Sequence, residues 1–191
     1  RKTSGGIRIM AEAMTPSYLR IHTPSMPWPD ANMERYIITL GRGNTLYEVG
    51  DNDPMPYRKA VETIGKYFQR EFHFDFLPYR TSWHNPTNVV FVWIGEDFDW
   101  SGNKKAVVFG ACEFDTDKAS SNGDDRYLAW IWIHPYYRQR GLLSGAWPYF
   151  KSRFGDFGIE RPLSSGMRAF LRSMQKREDK DNTIIEVEEL G

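Results

Sequence analysis

The sequence contains very little cysteine and no excess of either charge. Its 191 residues include one cysteine, Cys112, and 25 acidic residues balance 25 basic ones. A single cysteine excludes an internal disulfide and any zinc site built from several cysteines, and it fits a reducing compartment. A chain without net charge has no overall field to attract a phosphate backbone, so nucleic acid is not expected as the main partner.

Long apolar runs are also missing. The longest, such as residues 89–94, fall far short of the roughly 20 residues needed to cross a bilayer. The first twenty residues carry scattered charges and lack the apolar run that a signal peptide needs, so export by that route is not expected. We therefore expect a cytoplasmic protein without a membrane partner.

What the chain does contain is typical of a folded protein. Apolar residues make up 40% of it and aromatic residues 15%. A chain of this length buries about 70% of the surface that its unfolded form exposes, so a sizeable core is expected. Residues 1–16 mix glycine, serine and proline without periodicity, as a poorly ordered terminus does.

Hydrophobic periodicity predicts a sheet combined with three helices. Alternating and β-branched runs predict strands, and apolar residues at spacings of three and four predict helices. Breakers in residues 24–30 predict a link between strands. Strands are predicted at residues 18–22, 36–40, 45–49, 88–94, 106–114, 127–133, 157–160 and 183–187, and helices at 56–70, at 142–154 and from Ser164 or Ser165 to about 176.

One basic, glycine-containing segment, residues 133–144, joins a predicted strand to a predicted helix. The start of a helix presents unpaired backbone N–H groups and the positive end of the helix dipole. Gly141 permits close approach of a ligand, and Arg138 and Arg140 add positive charge. These features predict a site for a diphosphate.

The same segment resembles the pyrophosphate-binding signature of GNAT acyltransferases. Ile133, Pro135, Arg138 and Gly141 fall on the signature's hydrophobic, proline, arginine-or-glutamine and first glycine positions. Leu143 stands where the family usually has glycine or alanine. The order of predicted elements over residues 58–175 is also similar to the family.

The resemblance implies an α/β (α+β) fold with a mixed, mostly antiparallel central sheet flanked by helices. It implies one domain over residues 17–191, with its core within about 58–175. Its activity would be direct transfer of an acetyl group from acetyl-CoA, as cosubstrate, to a primary amine of a small molecule, a protein lysine or an N-terminus. The expected cofactor contacts are Ile131, Trp132, Ile133, Arg138, Gln139, Arg140, Gly141, Leu142, Leu143 and Ser144.

A weaker likeness links residues 159–170 to the cohesin-acetylating branch of the same family. Pro162 and Gly166 match that branch's spacing, but its acidic residue before the proline is Arg161 here, with Glu160 one place earlier. That branch also carries a zinc finger, which one cysteine cannot supply. The likeness is a guide to layout and brings no substrate.

An N-acyltransferase needs a group that removes the proton of the acceptor amine. The candidates near the predicted cleft are Glu113, His134 and Glu160. Strand alternation predicts that Glu113 shares a face with Val107, Phe109 and Ala111. Cys112 is expected to be a small buried apolar residue rather than a nucleophile, and no metal site is expected.

Plainer interpretations stand beside these. Arg138 and Arg140 would face water in an ordinary connection, and Trp130 and Trp132 would pack in the core. Two functional alternatives also remain. One is a GNAT-shaped protein that holds acyl-CoA without turnover, and the other is an interaction module that docks partners through the aromatic residues of 72–100.

Overall fold

In the part of the chain that the structure describes, a seven-stranded sheet carries helices on both faces. The computed structural model describes residues 22–30, 33, 37–40, 45–82, 87–116 and 126–188, without the side chains of 178–188. Within this part the strands are β1 (Ser25–Pro27), β2 (Ile37–Thr39), β3 (Thr45–Val49), β4 (Val89–Phe98), β5 (Lys104–Thr116), β6 (Arg126–Ile133) and β7 (Gly158–Ile159), and the α-helices are α1 (Met55–Phe72), α2 (Leu142–Phe154) and α3 (Ser165–Glu188).

The strand order is β2-β3-β4-β5-β6-β7, and β1 pairs with β5 off this path. All neighbours are antiparallel except β6 and β7, which are parallel because α2 crosses between them. The mixed, mostly antiparallel sheet flanked by helices that was predicted from the sequence is therefore confirmed.

Two apolar layers hold the helices to the sheet. Helix α1 packs Ile64 and Phe68 against the face that carries Trp130 and Trp132. Helix α2 packs its apolar side, including Phe150, against the opposite face. Because both faces are covered, the central strands are apolar at nearly every position. Core packing of the two tryptophans is confirmed.

A β-bulge changes which residues of β5 share a face. It lies at Phe109, because Trp93 pairs with Gly110 and Ile94 with Val108. An extra residue reverses the alternation beyond it. Glu113 therefore lies with Ala111 and Val108 on the α1 side, while Phe109 packs on the α2 side. The prediction that Val107 and Phe109 share a face with Glu113 was wrong, while the prediction for Ala111 was right.

Two other local predictions were wrong. Residues 25–27, expected within a link, pair with β5, and burial of Met26 accounts for this strand. Residues 183–187, expected to be an edge strand, belong to α3. Extending a helix that has already begun costs less than forming a new element, so β-branched residues near its end are tolerated.

The helix predictions at 56–70 and 142–154 are confirmed by α1 and α2. Ser164 is the residue that caps α3, because its Oγ accepts the Met167 N–H at 3.1 Å. The predicted poorly ordered stretch 1–16 and most of the predicted strand 18–22 lie outside the described residues. No described helix combines the length and the apolar character that membrane spanning requires.

Candidate functional site

The loop between β6 and α2 ends in a helix start whose amides are open to a ligand. Gly141 precedes the helix with φ 82° and ψ 9°, a left-handed conformation that glycine adopts without strain. Gln139, two residues earlier, also has a positive φ of 60°. No described side chain caps the helix, and its first backbone hydrogen bond runs from the Gly145 N–H to the Gly141 carbonyl at 2.8 Å. The N–H groups of residues 142–144 are therefore available at the mouth of α2, as predicted.

Arg138 is fixed in this loop by a carboxylate from another element. Its two terminal nitrogens donate to Glu71 of α1 at 2.8 and 2.7 Å, and its Nε donates to the Ile133 carbonyl at 2.8 Å. Trp132 Nε1 also donates to Glu71, at 2.7 Å. Burial raises the pKa of Glu71, but the bonds from Arg138 and Trp132 outweigh it, and the pKa is lowered. Glu71 is therefore a charged anchor for the loop.

Arg140 has a different environment. It is exposed, and its guanidinium lies 5.5 Å from the centre of the Tyr137 ring. Among the described residues it forms no ion pair. Its charge therefore adds to the positive potential at the start of α2.

Strands β6 and β7 separate soon after they meet. They pair only at Tyr127 with Gly158 and Leu128 with Ile159, and the last bond joins the Glu160 N–H to the Leu128 carbonyl at 3.0 Å. Beyond this point the chain turns at Pro162 towards α3. Residues 129–133 of β6 therefore face an opening on the side away from β5.

The backbone of β6 presents polar groups to this opening, which we call the split. The His134 N–H donates to the Phe109 carbonyl of β5 at 2.8 Å. Backbone groups of an antiparallel strand alternate in direction, so those of Ile131 and Ile133 point into the split. Ile133 already uses its carbonyl for Arg138 Nε. Within the described part of the chain, the Ile131 groups and the Ile133 N–H remain for a ligand.

Two cavities follow the split. One, of about 580 Å³, runs between residues 131–133, the loop and the first turns of α3. The other, of about 200 Å³, lies between residues 128–131 and 159–164. Ile131, Ser164 and Met167 line both cavities, so the two adjoin. They form a path from the helix start to the end of β7.

A third and larger cavity of about 1090 Å³ continues this path. It shares Ala129, Trp130 and Glu160 with the small cavity, and Glu113 and Tyr79 are also in its wall. Its walls come from the ends of β3, β5 and β7, the starts of β4 and β6, and the segment after α1. A ligand reaching from the loop through the split would enter this cavity.

Glu113 is a buried carboxylate in the wall of this cavity. It is 5% exposed, and it accepts hydrogen bonds from Trp130 Nε1 at 2.6 Å and from the Asn88 side-chain amide. Burial raises its pKa to about 7, and the two hydrogen bonds offset only part of this effect. Near neutral pH, Glu113 therefore exists in both protonation states and can accept a proton.

The structure brings together two of the three predicted proton acceptors. Glu160 is exposed and lines the large cavity together with Glu113. His134 lies at the opposite end of β6, is 4% exposed, and accepts the Tyr136 N–H through Nδ1 at 3.2 Å. It therefore caps the turn Pro135–Tyr137, and its place in the structure separates it from the carboxylates.

The predicted cofactor contacts line one cavity. All of them except Arg140 are in the wall of the 580 Å³ cavity. Sequence reasoning missed Glu71 and the first turns of α3, which complete that wall. No local sequence pattern indicates Glu71, whereas the spacing of Pro162 and Gly166 points to the start of α3. Among the described residues no group of three or more potential ligands is arranged to hold a metal ion.

Comparisons with known proteins give a distant likeness. No protein-family model and no curated protein matches the chain. Among solved structures, it is similar to the xEco2 acetyltransferase domain bound to a K105-CoA conjugate, with 14% identity over 68% of this chain and 86% of that one and a TM-score of 0.45. It is also similar to the aminoglycoside acetyltransferase meta-AAC0020 from an uncultured soil metagenomic sample, with 12% identity over 70% and 86% and a TM-score of 0.43.

A third similar structure is the ribosomal-protein-alanine N-acetyltransferase from Brucella melitensis biovar Abortus 2308. Its identity is 12%, over 69% of this chain and 90% of that one, with a TM-score of 0.40. At these identities the likeness is one of fold alone.

Proposed function

We propose that this chain is a GNAT-type N-acetyltransferase that moves an acetyl group from acetyl-CoA directly to a primary amine. The observation that supports it is the path from the amide-rich start of α2, through the split beside β6, to the cavity that contains Glu113. A long cosubstrate with an anionic group at one end and a reactive group at the other fits such a path.

The residues along the path suit the parts of acetyl-CoA. The N–H groups of residues 142–144 and the charge of Arg140 would hold the diphosphate. The backbone groups of Ile131 and Ile133 would hydrogen-bond the amide-containing arm, as a neighbouring strand would. The thioester would then lie near Ala129 and Trp130, where the small and large cavities meet.

Leu143 is compatible with this arrangement. Its side chain packs against the apolar layer under α2 and also forms part of the cavity wall. Its backbone N–H stays at the helix start whatever the side chain is. The departure from glycine or alanine therefore changes the wall and leaves the amide in place.

Glu113 would act as the proton acceptor. The amine arrives as an ammonium ion and must lose a proton before its nitrogen can attack the thioester carbonyl carbon. The C–N bond forms as the C–S bond breaks, and the sulfur leaves as a thiolate. The remaining extra proton of the nitrogen reaches the thiolate, so the products are the amide, the free thiol of CoA and the proton taken by Glu113. Glu160, at the entrance from the split, is the second candidate.

The test combines turnover with binding. Thiol release from acetyl-CoA is measured with a panel of primary amines, and CoA binding by calorimetry. We expect amine-dependent thiol release that falls about 100-fold or more in Glu113→Gln. Binding without any release would instead indicate a protein that holds acyl-CoA without turnover. Absence of binding would favour the docking role of the aromatic residues.

The loop is tested separately by charge reversal. Arg140→Glu should weaken CoA binding about tenfold, because it places a negative charge at the helix start. Lys59→Glu, on the exposed side of α1, makes the same change of charge away from the loop and should leave CoA affinity unaltered. If both variants bind CoA as tightly as the wild type, the loop does not bind the diphosphate and that part of the proposal is wrong.

A further inference from the structure

The large cavity has an acidic and aromatic wall. Four carboxylates line it, those of Asp51, Glu113, Asp115 and Glu160, and none of the described lining residues is lysine or arginine. Many of the other described lining residues are aromatic. At about 1090 Å³ it is far larger than the reacting end of an amine needs. The additional space and charge therefore bear on the rest of the acceptor.

The sheet register sets the spacing of the charges. Val49, Val90, Glu113 and Trp130 lie in one row across β3, β4, β5 and β6. Strands are about 4.8 Å apart, so Glu113 lies about 10 Å along this row from Val49, and Asp51 follows Val49 by two residues. Asp115 follows Glu113 by two residues on β5. Asp51 and Asp115 thus add acidic charge to the part of the cavity that lies farther from the split than Glu113 does.

The electrostatics agree with this geometry. Burial raises the pKa of Glu113 most, and the bonds from Trp130 and Asn88 lower it. The charges of Asp115 and Asp51 add smaller increases, so both act on Glu113. Among the described residues, the hydrogen bonds to Asp115 come from neutral donors, the Thr116 N–H and the hydroxyls of Thr87 and Tyr127. A cation entering the cavity would therefore gain charge pairing that these donors do not supply.

The aromatic wall points to the same kind of ligand. Phe74, Phe76, Tyr79 and Tyr127 line the cavity beside the carboxylates, and Phe76 is 61% exposed. Aromatic faces attract ammonium groups through their negative quadrupole. Aromatic and acidic walls together favour a cation and disfavour an anionic or neutral polar acceptor.

We infer that the acceptor is a small primary amine that carries at least one further positive charge about 10 Å from the reacting nitrogen, the spacing of two strands. The reacting amine lies at Glu113, Asp51 pairs with the distal charge, and Asp115, two residues from Glu113 on β5, adds negative charge along the cavity wall. This inference rests on the proposed acetyl transfer for the identity of the reacting end. The preference for a dication rests on the cavity alone.

The test uses a matched pair of amines, heptane-1,7-diamine and 1-aminoheptane. They have the same chain length, and only the first carries a second charge. Calorimetric affinity and, where thiol release occurs, kcat/KM are measured for both amines at low and at high salt. We expect the diamine to be favoured about tenfold at low salt and less at high salt.

Variants then locate the effect. Asp51→Asn and Asp115→Asn should each reduce the ratio of diamine affinity to 1-aminoheptane affinity severalfold. Asp156→Asn removes one charge at an exposed site paired with Lys151 and should leave the preference intact. Circular dichroism and the unfolding temperature verify that each variant is folded.

The results separate this inference from the proposed function. A diamine preference in binding that depends on Asp51 or Asp115 supports the inference even if no thiol is released, and only acetyl transfer then fails. Equal affinity for both amines, or a preference that both Asn variants retain, overturns the inference even if thiol is released. If neither amine binds, the inference is also overturned.

Discussion

Glu71 of α1 and Arg138 of the β6–α2 loop form a two-bonded ion pair across 67 positions of sequence. The pair is partly exposed, with 38% of the Arg138 side chain and 34% of the Glu71 side chain accessible. Glu71 also accepts the Trp132 indole N–H, so one carboxylate holds both the end of β6 and the loop that follows it. Helix α1 thereby fixes the position of the proposed diphosphate site.

The first prediction concerns this anchor. Glu71→Gln should raise the KM for acetyl-CoA about fivefold and change kcat by less than twofold, because the neutral amide cannot hold Arg138 with two charged bonds. Steady-state kinetics at varied acetyl-CoA measure both constants. Glu62→Gln is the control, since Glu62 lies on the same helix and pairs with Lys66 at 2.7 Å, away from the loop. Tighter binding in Glu71→Gln would mean that Glu71 withholds Arg138 from the diphosphate.

The second prediction concerns Gly141. Alanine at φ 82° is strained by about 1 kcal/mol, so Gly141→Ala should lose about that much stability and also weaken CoA binding severalfold as the loop shifts. Gly102, in the exposed β4–β5 turn with φ 79°, is the matched control. Gly102→Ala should lose similar stability in urea unfolding without a change in CoA affinity. A parallel loss of affinity in both variants would contradict a specific role for Gly141.

The third prediction is the pH dependence of acetyl transfer. Because Glu113 must be ionised to accept a proton and its pKa is about 7, kcat/KM should rise with pH and level off above about pH 7. Trp130→Phe removes a hydrogen bond that favours the carboxylate, so the midpoint of the profile should move to higher pH. A midpoint that stays in place in Trp130→Phe would indicate that another group, with Glu160 the next candidate, sets the profile.

The fourth prediction is the effect of Glu113 on stability. Its pKa is raised from 4.5 to about 7 in the folded state, so the folded protein binds the proton more tightly than the unfolded chain. The cost of ionising it is absent below pH 4.5 and complete above pH 7, where it amounts to about 3 kcal/mol. Urea unfolding should therefore show the wild type losing stability relative to Glu113→Gln between pH 4.5 and pH 8.

The control for this measurement has the opposite sign. The pKa of Glu71 is lowered in the folded state, so its ionised form stabilises the protein and that stabilisation is lost as the pH falls. The wild type should thus lose stability relative to Glu71→Gln on acidification. If the stability difference between wild type and variant changes in the same direction with pH for Glu113→Gln and Glu71→Gln, the assignment of a raised pKa to Glu113 is wrong.

The sequence alone predicted the loop and most of the elements around it. Helix α2 begins at Leu142 as its periodicity indicated, and Gly141 adopts the left-handed conformation for which glycine is suited. These features depend on near neighbours in the chain, through backbone sterics and apolar spacing. The amide-rich helix start was therefore determined by a few consecutive residues.

The tertiary structure decided what surrounds that loop. Glu71 opposite Arg138, the bulge at Phe109 that turns Glu113 towards α1, and the early end of β7 that opens the split all depend on pairings between distant segments. No local pattern specifies such pairings, because register and helix placement are set by the packing of the whole sheet. The same packing gathers Asp51, Glu113 and Glu160 from three strand ends into one cavity.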